Sequence, residues 1–208
     1  MYGFYFGEVG QDQWAFLVTG IPTLALIPIG FVMVPNAIME HKLKDTYDYV
    51  WSLPVPRSAS VVATSTIFTL LALPGTVIAL VIATLSYDVD LKVSWLALSG
   101  ILLTSVTATS VGYAIGHAVQ EPRVISLITN VVMFAVLLFS PIVVAIDQFP
   151  DWWAAVHKIL PFWHMSVVIR AGLTDGLLTS PVTVSYGALV AWAMTSWLVA
   201  AWVEGRRH

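Results

Sequence analysis

The segment NAIMEHKLKDTYDYVWSLPVPR, residues 36–57, is a charged stretch that lies between two long apolar runs. Its formal charges stand close together on Glu40, Lys42, Lys44, Asp45, Asp48 and Arg57. A stretch with this density of charge is too polar to lie in the hydrocarbon of a bilayer. Its mixture of apolar and charged positions is typical of an amphipathic helix at a membrane surface. We therefore expect this helix to contact a soluble partner.

The composition outside this stretch is that of a membrane protein. The chain of 208 residues is 58% hydrophobic and 10% charged, with a mean hydropathy of +0.85, whereas soluble domains are about a quarter charged. Five apolar runs are long enough to cross a bilayer; they cover residues 14–35, 59–86, 94–116, 124–146 and 182–203. The sequence predicts an all-α integral membrane protein with five transmembrane helices in a single domain, residues 1–208.

The basic residues predict how the chain lies in the membrane. Six of them fall on one side, at Lys42, Lys44, Arg57, Arg123, Arg206 and Arg207, and three on the other, at Lys92, Lys158 and Arg170. Because basic residues concentrate in cytoplasmic segments, the charged stretch and the C-terminus should be cytoplasmic and residue 1 external. Residues 1–13 have no signal-peptide pattern. Either the first span inserts with its N-terminus translocated, or a preceding span is missing.

Several kinds of chemistry are excluded by residues that the sequence lacks. Without cysteine there are no disulfides, no thiol catalysis and no thiolate metal sites. No Gly-Lys-Ser/Thr phosphate-binding loop is present, so ATP would have to be hydrolysed by another polypeptide. The five runs contain no Asp, Glu, Lys or Arg, which argues against an ion-coupled transporter. We expect no enzyme activity, no metal site, no bound cofactor and no nucleic-acid partner.

The third run, SGILLTSVTATSVGYAIG (residues 99–116), is rich in hydroxyl groups and small residues. Thr104, Thr107 and Ser110, together with Asn130 in the fourth run, are candidates for the polar lining of a substrate path. The alternative is that the hydroxyls bond to their own helix and that Asn130 makes an interhelical hydrogen bond. Gly112 and Gly116, with Ala108 one step earlier, have the spacing that lets helices approach closely.

The segment 147–181 predicts a pair of short helices on the external side. Asp151 is a candidate N-cap for a helix that begins at Trp152, and Pro161 should end or kink that helix. A second apolar helix should cover residues 164–173. Both are too short to cross the bilayer and carry the aromatic residues of an interface, so we expect a re-entrant hairpin at residues 147–181.

Two motifs in this order resemble the permease subunits of type-2 ABC exporters, which move drugs, lipids and polysaccharides. The first comprises Glu40, Lys44-Asp45-Thr46-Tyr47-Asp48 and Leu53-Pro54-Val55-Pro56-Arg57. The second comprises Phe139-Ser140-Pro141, Phe149-Pro150-x-Trp152, Leu160-Pro161, His164 and Arg170. Asp45 departs from the family pattern, which usually has Gly there. The resemblance covers the chain from Trp14 onward, and it implies the family's six-helix fold without its first helix.

The resemblance implies a coupling helix at residues 36–51 that docks on a cytoplasmic ABC ATPase subunit. Its contact residues would be Glu40, Lys42, Lys44, Asp45, Thr46, Asp48, Trp51 and Arg57. ATP and Mg would be bound by that subunit, and a second permease copy would complete a homodimer or a paralogous heterodimer.

The hairpin residues implied are Pro141, Pro150, Trp152, Pro161, His164 and Arg170. The substrate would be amphipathic or lipid-like and would be exported across the plasma membrane, where lipids surround the protein. The alternatives are a non-transporting scaffold that recruits a soluble partner, and an ion-coupled secondary transporter.

Overall fold

The computed structural model describes residues 11–44, 57–87, 91–174 and 181–205. These residues are mainly helical and include no β-strand. The helices are α1 (Gln11–Pro28), α2 (Val34–Leu43), α3 (Arg57–Tyr87), α4 (Trp95–Ala118), α5 (Pro122–Phe139), α6 (Asp151–His157), α7 (Pro161–Leu173) and α8 (Val182–Gly205). Within these described ranges, five helical segments are long and apolar enough to cross a membrane, namely Gln13–Leu43, Val62–Ser86, Trp95–Ala118, Pro122–Phe139 and Val182–Val203. The expected all-α membrane fold with five spans is confirmed.

The first span is longer than the sequence predicts, because a π-helical segment, Ile29–Met33, joins α1 to α2 without a break. Proline lacks the N–H that an α-helix needs, and its ring crowds the turn before it. The wider π-helical turn just before Pro35 accommodates that ring, and the Asn36 side chain donates a hydrogen bond of 2.7 Å to the Val32 carbonyl. Residues 36–43 therefore continue the first span, so the expected boundary at Asn36 is wrong.

The fourth span is shorter than the sequence predicts. The apolar run reaches residue 146, but α5 ends at Phe139. The residue before a proline is pushed out of the α-helical region, and Ser140, which precedes Pro141, has φ −87° and ψ 143°. The chain then turns and forms a 3₁₀ helix at Ile146–Gln148.

Helix α4 packs against α1, α2, α7 and α8 at the centre of the bundle. Its small residues meet the π-helical segment, as the spacing predicts. A Cβ atom added at Gly112 would lie 1.9 Å from the Gly30 carbonyl oxygen, and one added at Gly30 would lie 2.4 Å from the Ala108 Cβ. The backbones of these two spans are therefore in direct contact.

Helices α6 and α7, with the turn at residues 158–160, form a helical hairpin, which we call the hairpin. The N-cap position of α6 is occupied by Pro150, and Asp151 lies in the first turn without a capping hydrogen bond, so the expected Asp151 cap is wrong. Pro161 begins α7 instead of ending the previous helix, which agrees with the preference of proline for first helical positions. The Ser94 N–H donates a 2.8 Å hydrogen bond to the Gly172 carbonyl, so α7 ends beside the start of α4.

These contacts define two ends of the bundle. At the hairpin end lie the starts of α1, α4 and α8 and the end of α5. At the opposite end, which we call the charged end, α2 and α4 end and α3 begins.

Candidate functional site

The last turn of α2 places an exposed ion pair at the charged end. Lys44 Nζ lies 2.5 Å from Glu40 Oε1, and the two side chains are 66% and 61% exposed. Ion pairs of this i, i+4 kind on a surface contribute little to stability. Both groups are therefore available to a partner at small cost in folding free energy.

Lys42, which the sequence predicts as a partner contact, points into the protein instead. Its ammonium donates hydrogen bonds to the carbonyl oxygens of Gly116 and Val119, the latter at 2.9 Å. These carbonyls lie at the end of α4, where a cation favours the helix dipole and supplies donors that the backbone lacks. Lys42 thus fastens the end of α2 to the end of α4.

Of the remaining contact residues predicted for the coupling helix, the structure describes one. Arg57 is the first residue of α3. Asp45, Thr46, Asp48 and Trp51 lie outside the described residues.

The four candidates for a substrate path do not line one surface. Thr104 is fully buried, and Thr107 is buried with its hydroxyl 2.8 Å from the Leu103 carbonyl and 3.3 Å from the Leu189 carbonyl. Ser110 lines an apolar cleft of about 560 Å³ between α3, α4 and α8. Asn130 is exposed on α5 and hydrogen-bonds to none of the described residues, in contrast to the interhelical bond expected from the sequence. The Thr107 hydroxyl thus bonds to carbonyls of α4 and α8, whereas the Thr104 hydroxyl has no hydrogen-bond partner among the described residues.

Arg170 on α7 joins three parts of the hairpin end. It is 2% exposed, and its guanidinium donates to the carbonyl oxygens of Phe16 on α1 and Ile142 in the turn after α5. The same guanidinium lies over the Phe16 ring, a cation–π arrangement. No carboxylate among the described residues pairs with it. A buried guanidinium held by carbonyls and an aromatic ring fastens the hairpin to α1.

The hairpin turn is held by His164 of α7 and by Trp192 of α8. His164 Nε2 lies 2.9 Å from the Lys158 carbonyl, and Nδ1 lies 3.1 Å from the Ser185 hydroxyl. Because a carbonyl only accepts, Nε2 carries the proton and Nδ1 accepts from Ser185. Trp192 Nε1 donates a 2.9 Å hydrogen bond to the Ile159 carbonyl. Two consecutive carbonyls of the turn are thus bound.

The other residues expected in the hairpin lie at its helix ends, on its surface or in the turn after α5. Trp152 is exposed, beside Trp153, whose indole donates to the Phe139 carbonyl at 3.1 Å. Pro141 is buried in the turn after α5, Pro150 occupies the N-cap position of α6 without a capping hydrogen bond, and Pro161 begins α7. The roles of Phe16, Ile142 and Trp192 were not predicted, because nothing in the local sequence marks them as partners of this hairpin. In the described ranges, no group of three His, Cys, Asp or Glu residues could hold a metal ion.

The family of the chain follows from a comparison with known proteins. A family model described as ABC-2 type transporter matches residues 1–174. The chain belongs to the ABC-2 type transporter family. No curated protein matches it. The matched region contains the first four spans and the whole hairpin. This ABC-2 permease is therefore a multi-pass membrane component of an ABC transporter, and it is a transport component that is not itself catalytic.

Proposed function

We propose that this ABC-2 permease is the membrane subunit of an ATP-driven exporter in the plasma membrane. A separate cytoplasmic ABC ATPase subunit binds ATP and Mg and hydrolyses the ATP, and the permease moves an amphipathic or lipid-like substrate outward. Two permease copies, identical or paralogous, enclose the path. Family membership supports the ATPase partner, and the arrangement of the first span supports the way in which force reaches the hairpin.

The observation that carries the mechanism is one uninterrupted helical rod between the two ends of the bundle. Its charged end bears Glu40, and near its other end the Phe16 carbonyl binds Arg170 of the hairpin. Phe16 and Glu40 are 24 positions apart, which corresponds to about 36 Å of helix. A rod fastened at both ends transmits a displacement at Glu40 to the hairpin, which is the physical requirement for coupling between the two sites.

The charge distribution supports a cytoplasmic location of the charged end and an external location of the hairpin. Of the three basic residues assigned to the opposite side, Lys158 and Arg170 belong to the hairpin, and only Lys92 lies in the connection before α4. The excess of six basic residues over three supports a cytoplasmic location of the charged end.

A second copy and lipid account for the exposed apolar faces. Helix α5 exposes Leu127, Val131, Phe134 and Leu138 together with the amide of Asn130. An amide that faces lipid has no hydrogen-bond partner, whereas a facing copy would supply one. Helix α3 exposes only apolar groups and hydroxyls along most of its length, and we assign that face to lipid.

The test is co-purification of the permease with an ABC ATPase subunit and measurement of ATP hydrolysis in vesicles. Glu40→Lys should lower both association and hydrolysis, because it places two cations one helical turn apart at the docking surface. The double variant Glu40→Lys/Lys44→Glu restores the internal ion pair with reversed charges. Its association and ATP hydrolysis should stay low if a partner contacts these charges, and should recover if only the internal ion pair matters. Glu121→Lys, an exposed change at the same end, serves as the control.

The alternatives give different results in the same preparation. A scaffold would bind a soluble partner without stimulating ATP hydrolysis. An ion-coupled transporter would move substrate along an imposed ion gradient without ATP.

A further inference from the structure

The turn between α6 and α7 carries a cation whose surroundings are unusual. Lys158 is exposed, and it forms no ion pair with a carboxylate among the described residues. The backbone of the turn is fixed by two hydrogen bonds, since His164 binds the Lys158 carbonyl and Trp192 binds the Ile159 carbonyl. The backbone that presents this ammonium is therefore held on two sides.

The first indication of depth comes from α4. Helix α7 packs against α4 so closely that a Cβ atom added at Gly100 would lie 2.7 Å from the Val168 carbonyl oxygen. Pro161 precedes Val168 by seven residues, and α7 runs antiparallel to α4, so Pro161 lies about 10 Å further along, level with Thr107. Thr107 is at the middle of the span Trp95–Ala118.

The second indication of depth comes from α8 and agrees with the first. Trp192, whose indole binds the Ile159 carbonyl, stands at the middle of the span Val182–Val203. The packing on α4 and the hydrogen bond from Trp192 both place the turn near the centre of the membrane-spanning bundle. This is about 15 Å from either edge of a hydrocarbon core about 30 Å thick. A lysine stem is too short to carry its ammonium to the membrane surface from there.

An ammonium at this depth is strongly unfavourable against lipid tails, and such groups face water or pair with an opposite charge. The five apolar runs contain no Asp or Glu that could supply that charge from within the bilayer, and Glu40 lies at the charged end. The geometry points to Lys158 as a binding site in the transport path for the anionic group, phosphate, carboxylate or sulfate, of an amphipathic substrate. This inference rests on the proposed function and narrows its substrate class to anionic amphiphiles.

The test uses the absence of cysteine from the natural chain, which makes any single cysteine a unique label. Ile159→Cys places a thiol beside Lys158 at a side chain that is 72% exposed, and it leaves the backbone carbonyl bound by Trp192 in place. The full chain with its ATPase subunit is placed in phosphatidylcholine nanodiscs. The rates of reaction with an anionic and a cationic methanethiosulfonate of similar size are then compared.

The thiol should react with both water-soluble reagents, and faster with the anionic one. Adding Lys158→Gln should lower the ratio of anionic to cationic rates about fivefold or more, because a unit charge within a few ångströms acts on the two reagents in opposite directions. Lys92→Gln, a cation change in the connection before α4, should leave the ratio unchanged. The inference would be overturned if the thiol reacted with neither reagent, or if the ratio of anionic to cationic rates were the same with and without Lys158→Gln.

Ligand class is tested by protection of the same thiol. Dodecyl phosphate should slow the reaction at least about tenfold more than dodecyl maltoside, and this preference should vanish with Lys158→Gln and persist with Lys158→Arg. Equal protection by both amphiphiles would contradict an anionic site. If phosphatidylglycerol in the nanodisc alone reproduces the protection, the ligand is a lipid headgroup and the substrate assignment is wrong. The labelling needs no ATP turnover, so failure of ATPase coupling is recognised separately.

Discussion

Arg170 donates a hydrogen bond from Nη2 to the Phe16 carbonyl oxygen at 3.2 Å, and its guanidinium carbon lies 3.5 Å from the centroid of the Phe16 ring. One residue pair thus joins the first span to the hairpin by a charge-assisted hydrogen bond and a cation–π contact. In the proposed exporter this is where movement of the first span reaches the external side.

Arg170→Met should destabilise the protein by about 2–4 kcal/mol, because it removes the buried charged donor that joins the Phe16 and Ile142 carbonyls to the hairpin. Phe16→Leu removes the ring and keeps the backbone carbonyl, so it should cost less, about 1–2 kcal/mol. Denaturation in mixed micelles gives both values. If Arg170→Met unfolds no more easily than Phe16→Leu, the hydrogen bonds do not hold the hairpin.

Gly112→Ala should separate the first and third spans. The added methyl group would meet the Gly30 carbonyl oxygen at 1.9 Å, a backbone atom that cannot move aside by a side-chain rotation. We expect a loss of about 1–3 kcal/mol in unfolding free energy. Gly75→Ala is the matched control, since nothing lies within 4 Å of an added Cβ there and alanine favours helix. Equal effects of the two substitutions would contradict the close contact.

Lys42→Met should destabilise the bundle by about 1–2 kcal/mol, because the carbonyls at the end of α4 lose their charged donor. Lys44→Met, two residues further along and on the exposed side, should leave unfolding unchanged and weaken ATPase association instead. Thermal denaturation and co-purification of the two variants separate the internal role from the partner contact. A reversed pattern would show that Lys42 is the partner contact that the sequence predicts.

Trp192→Phe should loosen the hairpin turn without unfolding the protein. The loss of one hydrogen bond to the Ile159 carbonyl corresponds to about threefold to tenfold faster hydrogen exchange in the turn at residues 158–160. Trp197→Phe on the same helix is the control, because Trp197 lines the cleft between α3, α4 and α8. Equal exchange in the two variants would mean that Trp192 does not position the turn that carries Lys158.

The spans and the short helices of the hairpin could be predicted from sequence because length, hydropathy and proline positions are local properties. The close packing of Gly112 was also predictable from the spacing of small residues. By contrast, the continuous first span depends on a π-helical turn before Pro35, and proline by itself argues for a break.

The depth of the hairpin and the role of Lys42 could not be predicted, because both depend on contacts between residues far apart in the chain. Trp192 binds a carbonyl 33 positions away, and Lys42 binds carbonyls 74–77 positions away. No local pattern specifies such pairs. A lysine in a short loop is therefore interpreted as a surface residue as long as the packing of α7 against α4 is unknown.

Docking of the ATPase subunit at the charged end is tested most directly by photo-crosslinking from single cysteines labelled with a benzophenone maleimide. The complex of permease and ABC ATPase subunit is irradiated with the label at Lys44→Cys or at Lys92→Cys. We expect a crosslink to the ATPase subunit from position 44 and none from position 92. A crosslink from position 92, or from neither position in a complex that hydrolyses ATP, would contradict entry of the force at the charged end.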